Sequence, residues 1–186
     1  MKKILSILIL VVFLCGCSNG EENLEGIMNL RKAVISAKSC SFSAIITADY
    51  QTESFMFKMD CVSDEQGNVT FTVIEPTSVS GITGKVSNDG GKLTFDDKYL
   101  VFAPLADGLI TPVSAPWLFM KTLRSGYISG CSVTENGDSI LFNDTYQNNS
   151  MDMIIQTNEN NLPCLTEIYW QGRCAVTIRV ENFTFS

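Results

Sequence analysis

Cysteine is the side chain with the most chemical reach in this chain: seven cysteines and no histidine occur in 186 residues. Thiols can bind metals, form disulfides or act as nucleophiles. The missing histidine removes Ser-His and Cys-His nucleophile pairs and every histidine metal site. No Cys-x-x-Cys spacing exists, so neither a zinc ribbon nor a dithiol redox pair is expected. Cys15 and Cys17 end an N-terminal run in which Lys2 and Lys3 precede the apolar stretch Ile4 to Leu14. A charged start, a short apolar core and small residues at the cut site make an export signal. The run is shorter than the ~20 apolar residues a membrane-spanning helix needs.

Leu14-Cys15-Gly16-Cys17 resembles a bacterial lipobox. That resemblance implies cleavage after residue 16 and acylation of Cys17, which then starts the mature chain. The expected organisation is a signal over 1–16, a tether over 17–22 and one domain over 23–186. The protein would sit at the outer face of the cell membrane, held through the Cys17 lipids. Five cysteines remain beyond the anchor: Cys40, Cys61, Cys131, Cys164 and Cys174. An exported protein tolerates disulfides, yet an odd count leaves at least one thiol over. Five mostly reduced structural thiols are expected, with Cys40–Cys61 at the outer reach of a bridge.

The formal charge is −7, from 13 basic and 20 acidic residues. Loss of Lys2 and Lys3 would make it −9. A domain this acidic is repelled by nucleic-acid backbones and by anionic lipid heads, so no nucleic-acid partner is expected. Gly81-Ile82-Thr83-Gly84-Lys85 lacks phosphate-loop spacing and reads as strand. Asp89, Asp96 and Asp97 flank turns without a calcium-loop pattern. Neither a cofactor nor a catalytic group is implied, and the chain is read as non-enzymatic.

The elements that position these groups follow from periodicity. Leu24, Ile27, Leu30, Val34 and Ala37 form one helical stripe over Asn23 to Lys38. Period-two alternation then runs through Phe42, Ala44, Ile46 and Ala48, and again through Phe55, Phe57, Met59 and Cys61. Matching these faces sets Ala48 opposite Phe55 and Phe42 opposite Cys61, with a two-residue loop. Short strands follow to Ala103. A helix is expected from Ser114 as N-cap, with Pro116 in its first turn and Gly126 as its stop. Trp117, Leu118, Phe119, Met120 and Leu123 make it apolar nearly all round, so both its faces should be covered. Five strands complete the chain, the last two with Trp170 opposite Cys174 and Ile168 opposite Val176. The expected class is α+β, mainly β, with about ten or eleven strands and two helices.

The order of these elements carries a resemblance. Ser41-Phe42-Ser43-Ala44, the turn Asn161-Leu162-Pro163 and the ending Ile178-Arg179-Val180-Glu181-Asn182-Phe183 resemble the outer-membrane lipoprotein carrier and receptor family (LolA/LolB-like). The resemblance implies a strongly curved antiparallel sheet, an unclosed barrel, covered by helices, with acyl chains held between sheet and lid. Cavity candidates are Phe42, Ile46, Phe55, Phe57, Phe71, Val73, Trp117, Leu118, Met120, Ile168 and Trp170. Packing a solid core is the competing role for each of them. Arg124 and Arg173 take no role from the family. Two readings stay open: a carrier of an acyl chain or other hydrophobic ligand, and a protein-interaction module of the envelope. Relatives of the second kind include a spore-germination lipoprotein that binds a cell-wall amidase. The carrier is the leading reading; a tightly filled interior would remove it and leave a tethered β-rich domain of unstated purpose, and a stable protein partner without lipid would favour the second.

Overall fold

The computed structural model describes residues 19–103, 105–106, 109–134, 137–146 and 149–186. The expected export signal over 1–16, Cys17 and Ser18 lie outside the described residues. Helix α1 spans Asn19–Ser36, starting earlier and stopping sooner than the periodicity predicts. It stops because Ser39 already pairs with Asp64 in the sheet. Ile27, Leu30 and Val34 are its buried stripe, while Met28 and Ile35 face outward.

Among the described residues, thirteen strands follow. They are β1 (Ser39–Asp49), β2 (Ser54–Asp64), β3 (Val69–Glu75), β4 (Thr83–Ser87), β5 (Gly90–Phe95) and β6 (Lys98–Phe102). A small hairpin, β7 (Leu105–Ala106) and β8 (Leu109–Ile110), leads through a 3-10 turn to helix α2 (Ala115–Ser125). The last five are β9 (Tyr127–Thr134), β10 (Gly137–Tyr146), β11 (Asn149–Thr157), β12 (Pro163–Trp170) and β13 (Arg173–Phe185). Eleven of them form one curved, unclosed antiparallel sheet, ordered β6-β5-β4-β3-β2-β1-β13-β12-β11-β10-β9. The architecture is therefore mainly β with two helices, as the pattern predicts. Only the β1–β13 junction is non-sequential, so the first and last strands meet at the centre. The chain between edge strands β6 and β9 must then cross the sheet, and that crossing carries α2.

The first hairpin has the predicted register, Ala48 opposite Phe55 and Phe42 opposite Cys61. Gln51, at φ 73°, starts its two-residue loop. The last hairpin differs at its tip. Trp170 lies opposite Arg173 and Tyr169 opposite Cys174, with Ile168 still opposite Val176. Gln171 and Gly172 both take positive φ, 53° and 77°, which is the two-residue turn that suits strand twist. Ala175 is left as the extra residue of a bulge that restores the register.

Helix α2 begins after Ser114, carries Pro116 in its first turn and stops at Gly126. The Ser114 hydroxyl turns back to the Thr111 carbonyl instead of capping the helix. Eight of the α2 residues are buried, so both its faces are covered. Phe42 and Phe119 meet edge to face at 5.5 Å between ring centres, and Phe42 stacks on Phe183 at 5.7 Å. Gly84 is set by a close approach: a Cβ there would lie 2.3 Å from the Phe71 ring.

Cys40, Cys61, Cys131, Cys164 and Cys174 are free. Cys40 and Cys61 are buried, and desolvation raises both pKa values, opposed at Cys40 by the charge of Arg124. A thiol pushed up in the folded state adds stability below its unfolded pKa of about 8.5 and loses it as pH rises above that. Stability should therefore decline through mildly alkaline pH, as urea midpoints measured from pH 7 to 10 would show. Iodoacetamide should spare Cys40 and Cys61 in the native protein and modify them in urea, which peptide mass spectrometry reads directly.

Candidate binding surfaces

The space between sheet and α2 is the first place to look for a site. Ile46, Leu118, Phe119, Met120 and Ile168 have no exposed surface, and Phe42, Phe71, Val73, Trp117 and Trp170 are nearly as closed. A cavity wide enough for an acyl chain would leave its walls open to a water-sized sphere. These walls are not open, so the described side chains fill the space themselves. Phe57 is half-buried against the same cluster. Phe55 stands apart: it is 40% exposed and tilted against the Tyr50 ring at 6.0 Å. Ten of the eleven cavity candidates thus converge on one core, and the structure brings them together as packing.

Two arginines clasp the helices to each other. Arg31 of α1 donates from Nε to the Leu123 carbonyl at 2.9 Å and from Nη2 to the Gly126 carbonyl at 2.6 Å. Its guanidinium also sits 5.5 Å above the Phe142 ring. Arg124 of α2 donates in return to Val34 O at 3.0 Å and to Glu65 O at 2.6 Å. Arg31 thus meets two carbonyls at the C-terminus of α2 and Arg124 meets one at the C-terminus of α1, where the helix dipole favours positive charge. Arg173 serves elsewhere, pairing with Asp49 at the strand ends. Sequence reasoning left Arg31 out, because nothing local marks a partner 92 residues away.

The outer boundary of the sheet looks different. On β6, Tyr99, Leu100 and Val101 are 69%, 62% and 68% exposed, and Phe95 at the end of β5 is 57% exposed. Leu100 shares the inner face with its partner Leu93, while Tyr99 and Val101 share the outer face with Thr94 and Lys92. The β5–β6 hairpin therefore packs Leu93 and Phe102 on the core, carries exposed apolar groups on both sides and, among the described residues, has one strand edge without a partner. Asp96 and Asp97 form its tip, both at positive φ.

A hollow of about 620 Å³ lies on the sheet face turned away from α2. Its walls include Ser41, Ser43, Asp60, Thr70, Thr72, Thr83, Lys85, Lys92 and Thr94, with the exposed apolar side chain of Val62 between Ser41 and Thr70. Among the described residues, no group of three or more His, Cys, Asp or Glu side chains is placed to hold a metal ion.

No protein-family model and no curated protein sequence matches the chain. Among solved structures, a LolA superfamily protein from Nitrosomonas europaea is similar over 88% of this chain and 93% of its own, at 8% identity and a TM-score of 0.46. The lipoprotein LppX of Mycobacterium tuberculosis is similar over 90% and 95%, at 13% identity and a TM-score of 0.42. A chain from the complex of the CwlD amidase with the GerS lipoprotein of Clostridioides difficile is similar over 91% and 98%, at 11% identity and a TM-score of 0.43.

Proposed function

We propose that this chain is a non-enzymatic binding module of the cell envelope, tethered through lipids on Cys17, and that it works by protein contact at the β5–β6 hairpin. The observation behind this reading is the exposed edge strand β6, with Tyr99, Leu100 and Val101 all in solvent. Monomeric proteins keep such edges short, charged or covered, because free strand edges and apolar patches recruit other chains. An apolar edge of this kind fits addition of a partner strand, with backbone hydrogen bonds for affinity and the side chains of both faces for specificity. A membrane surface fits less well, since an open strand edge would leave backbone N–H and C=O groups unpaired in hydrocarbon. Storage of an acyl chain is also disfavoured, because α2 would have to leave a filled core to make room.

The test is a paired one. Cross-linking in the producing cells should join the wild-type chain to an envelope protein, and Leu100→Lys should reduce that product at least about tenfold while leaving the thermal midpoint within a few degrees. Native mass spectrometry of the chain after mild extraction should show no bound amphiphile. A stoichiometric lipid on the wild-type chain, with cross-linking indifferent to Leu100→Lys, would replace this reading with the carrier one.

A further inference from the structure

We infer that the hollow on the outer face of β1–β5 is a binding site for a saccharide chain bearing carboxylates. The inference does not rest on the β6 edge reading, although Tyr99 belongs to both surfaces. The central fact is a pair of like charges. Lys85 and Lys92 lie directly opposite each other across the β4–β5 pair. Like charges in that position destabilise a sheet. The side chains around them do not neutralise the pair. Thr70 faces Lys85 from β3, Val101 faces Lys92 from β6, and Thr83 and Thr94 follow along their own strands. The one carboxylate in the wall, Asp60, lies two strands from Lys85 and accepts the Ser43 hydroxyl at 2.7 Å. Lys92 is held in place by the Tyr99 ring, 4.6 Å from its Nζ. An anion bound between the two ammonium groups would turn the repulsion into attraction.

The rest of the hollow determines what carries that anion. At about 620 Å³ it is far larger than a lone phosphate or acetate and falls within the range of small-molecule sites. Ser43, Asp60, Thr72, Thr83 and Thr94 form one continuous cross-strand row, each opposite the next. Hydroxyls both donate and accept, as sugar hydroxyls do. Tyr99 continues the same row and closes its end with the ring that carries Lys92. The chain's overall charge of −7 repels anions at long range. Beyond about 8–10 Å that repulsion is screened at physiological salt, which leaves the local pair to decide.

Titration calorimetry on the full chain in detergent tests this with three probes. They are a hexasaccharide alternating glucuronate with N-acetylglucosamine, the neutral N-acetylglucosamine hexamer, and inorganic phosphate. The carboxylated oligomer should bind, and the neutral one should bind at least about tenfold more weakly. Lys85→Gln and Lys92→Gln should each weaken the carboxylated oligomer by about tenfold or more. Their thermal midpoints should stay at or above wild type, because each removes the like-charge pair. Four outcomes would overturn the inference: no binding at millimolar concentration, binding unchanged in both lysine variants, phosphate binding as tightly as the oligomer, or lysine variants that melt well below wild type.

Discussion

Phe119→Ala is expected to cost about 3–5 kcal/mol of folding stability, the largest loss at any single position considered. Phe119 has no exposed surface. Its ring lies edge-on to Phe42 and, at 6.4 Å, to Phe183. Truncation removes the transfer energy of the ring and leaves a void that strands and helix can only partly close. Urea unfolding followed by tryptophan fluorescence should show a lower midpoint with an unchanged slope. The void should also behave as a dry apolar cavity, so benzene should raise the melting temperature of the variant and leave wild type unaffected. A loss below about 1 kcal/mol would mean that α2 does not rest packed on the sheet. The interior would then be open in solution, and the acyl-carrier reading would regain its footing.

Arg31→Ala and Arg124→Ala come next, at about 2–3 kcal/mol each. Either change strands carbonyls that are part-buried at a helix terminus, and a charge-assisted hydrogen bond is worth more than a neutral one. Arg31 should be the costlier loss. It meets Leu123 O and Gly126 O together and covers the Phe142 ring, whereas Arg124 bonds to Val34 O and to Glu65 O in an exposed turn. Lysine should not restore either position, because a point charge cannot reach two carbonyls with a fixed fork. Both arginines hold the same α1–α2 junction, so the double variant should lose less than the two singles added together. Coupling of about 0.5 kcal/mol or more in a double-mutant cycle would show this. Strict additivity would mean that the two clasps act separately.

Much of the strand architecture was readable from local pattern. Alternation alone placed Phe42 opposite Cys61 in the first hairpin, and Ser114, Pro116 and Gly126 bracketed α2 within a residue. These features depend on neighbours a few positions apart, which is the range that periodicity and turn chemistry report. The tip of the last hairpin escaped, because alternation cannot tell a three-residue loop from a two-residue turn followed by a bulge at Ala175. For the candidate sites, the converging core residues were legible and their degree of filling was not. Hydrophobic spacing shows which side of a strand turns inward, and it carries no measure of the volume left over. The Lys85–Lys92 pair and the Arg31 clasp were missed for a related reason. In one dimension they are ordinary exposed cations.

By itself, the order of residues determined the mainly β class and the two faces of each hairpin, because each is written in length or periodicity along the chain. Tertiary structure alone decided that β1 meets β13, that α2 plugs the hollow of the sheet, and that Arg31 reaches the end of α2. Those outcomes depend on which distant strands share an edge and how tightly side chains from different elements interlock, and close packing is a property of the assembled volume.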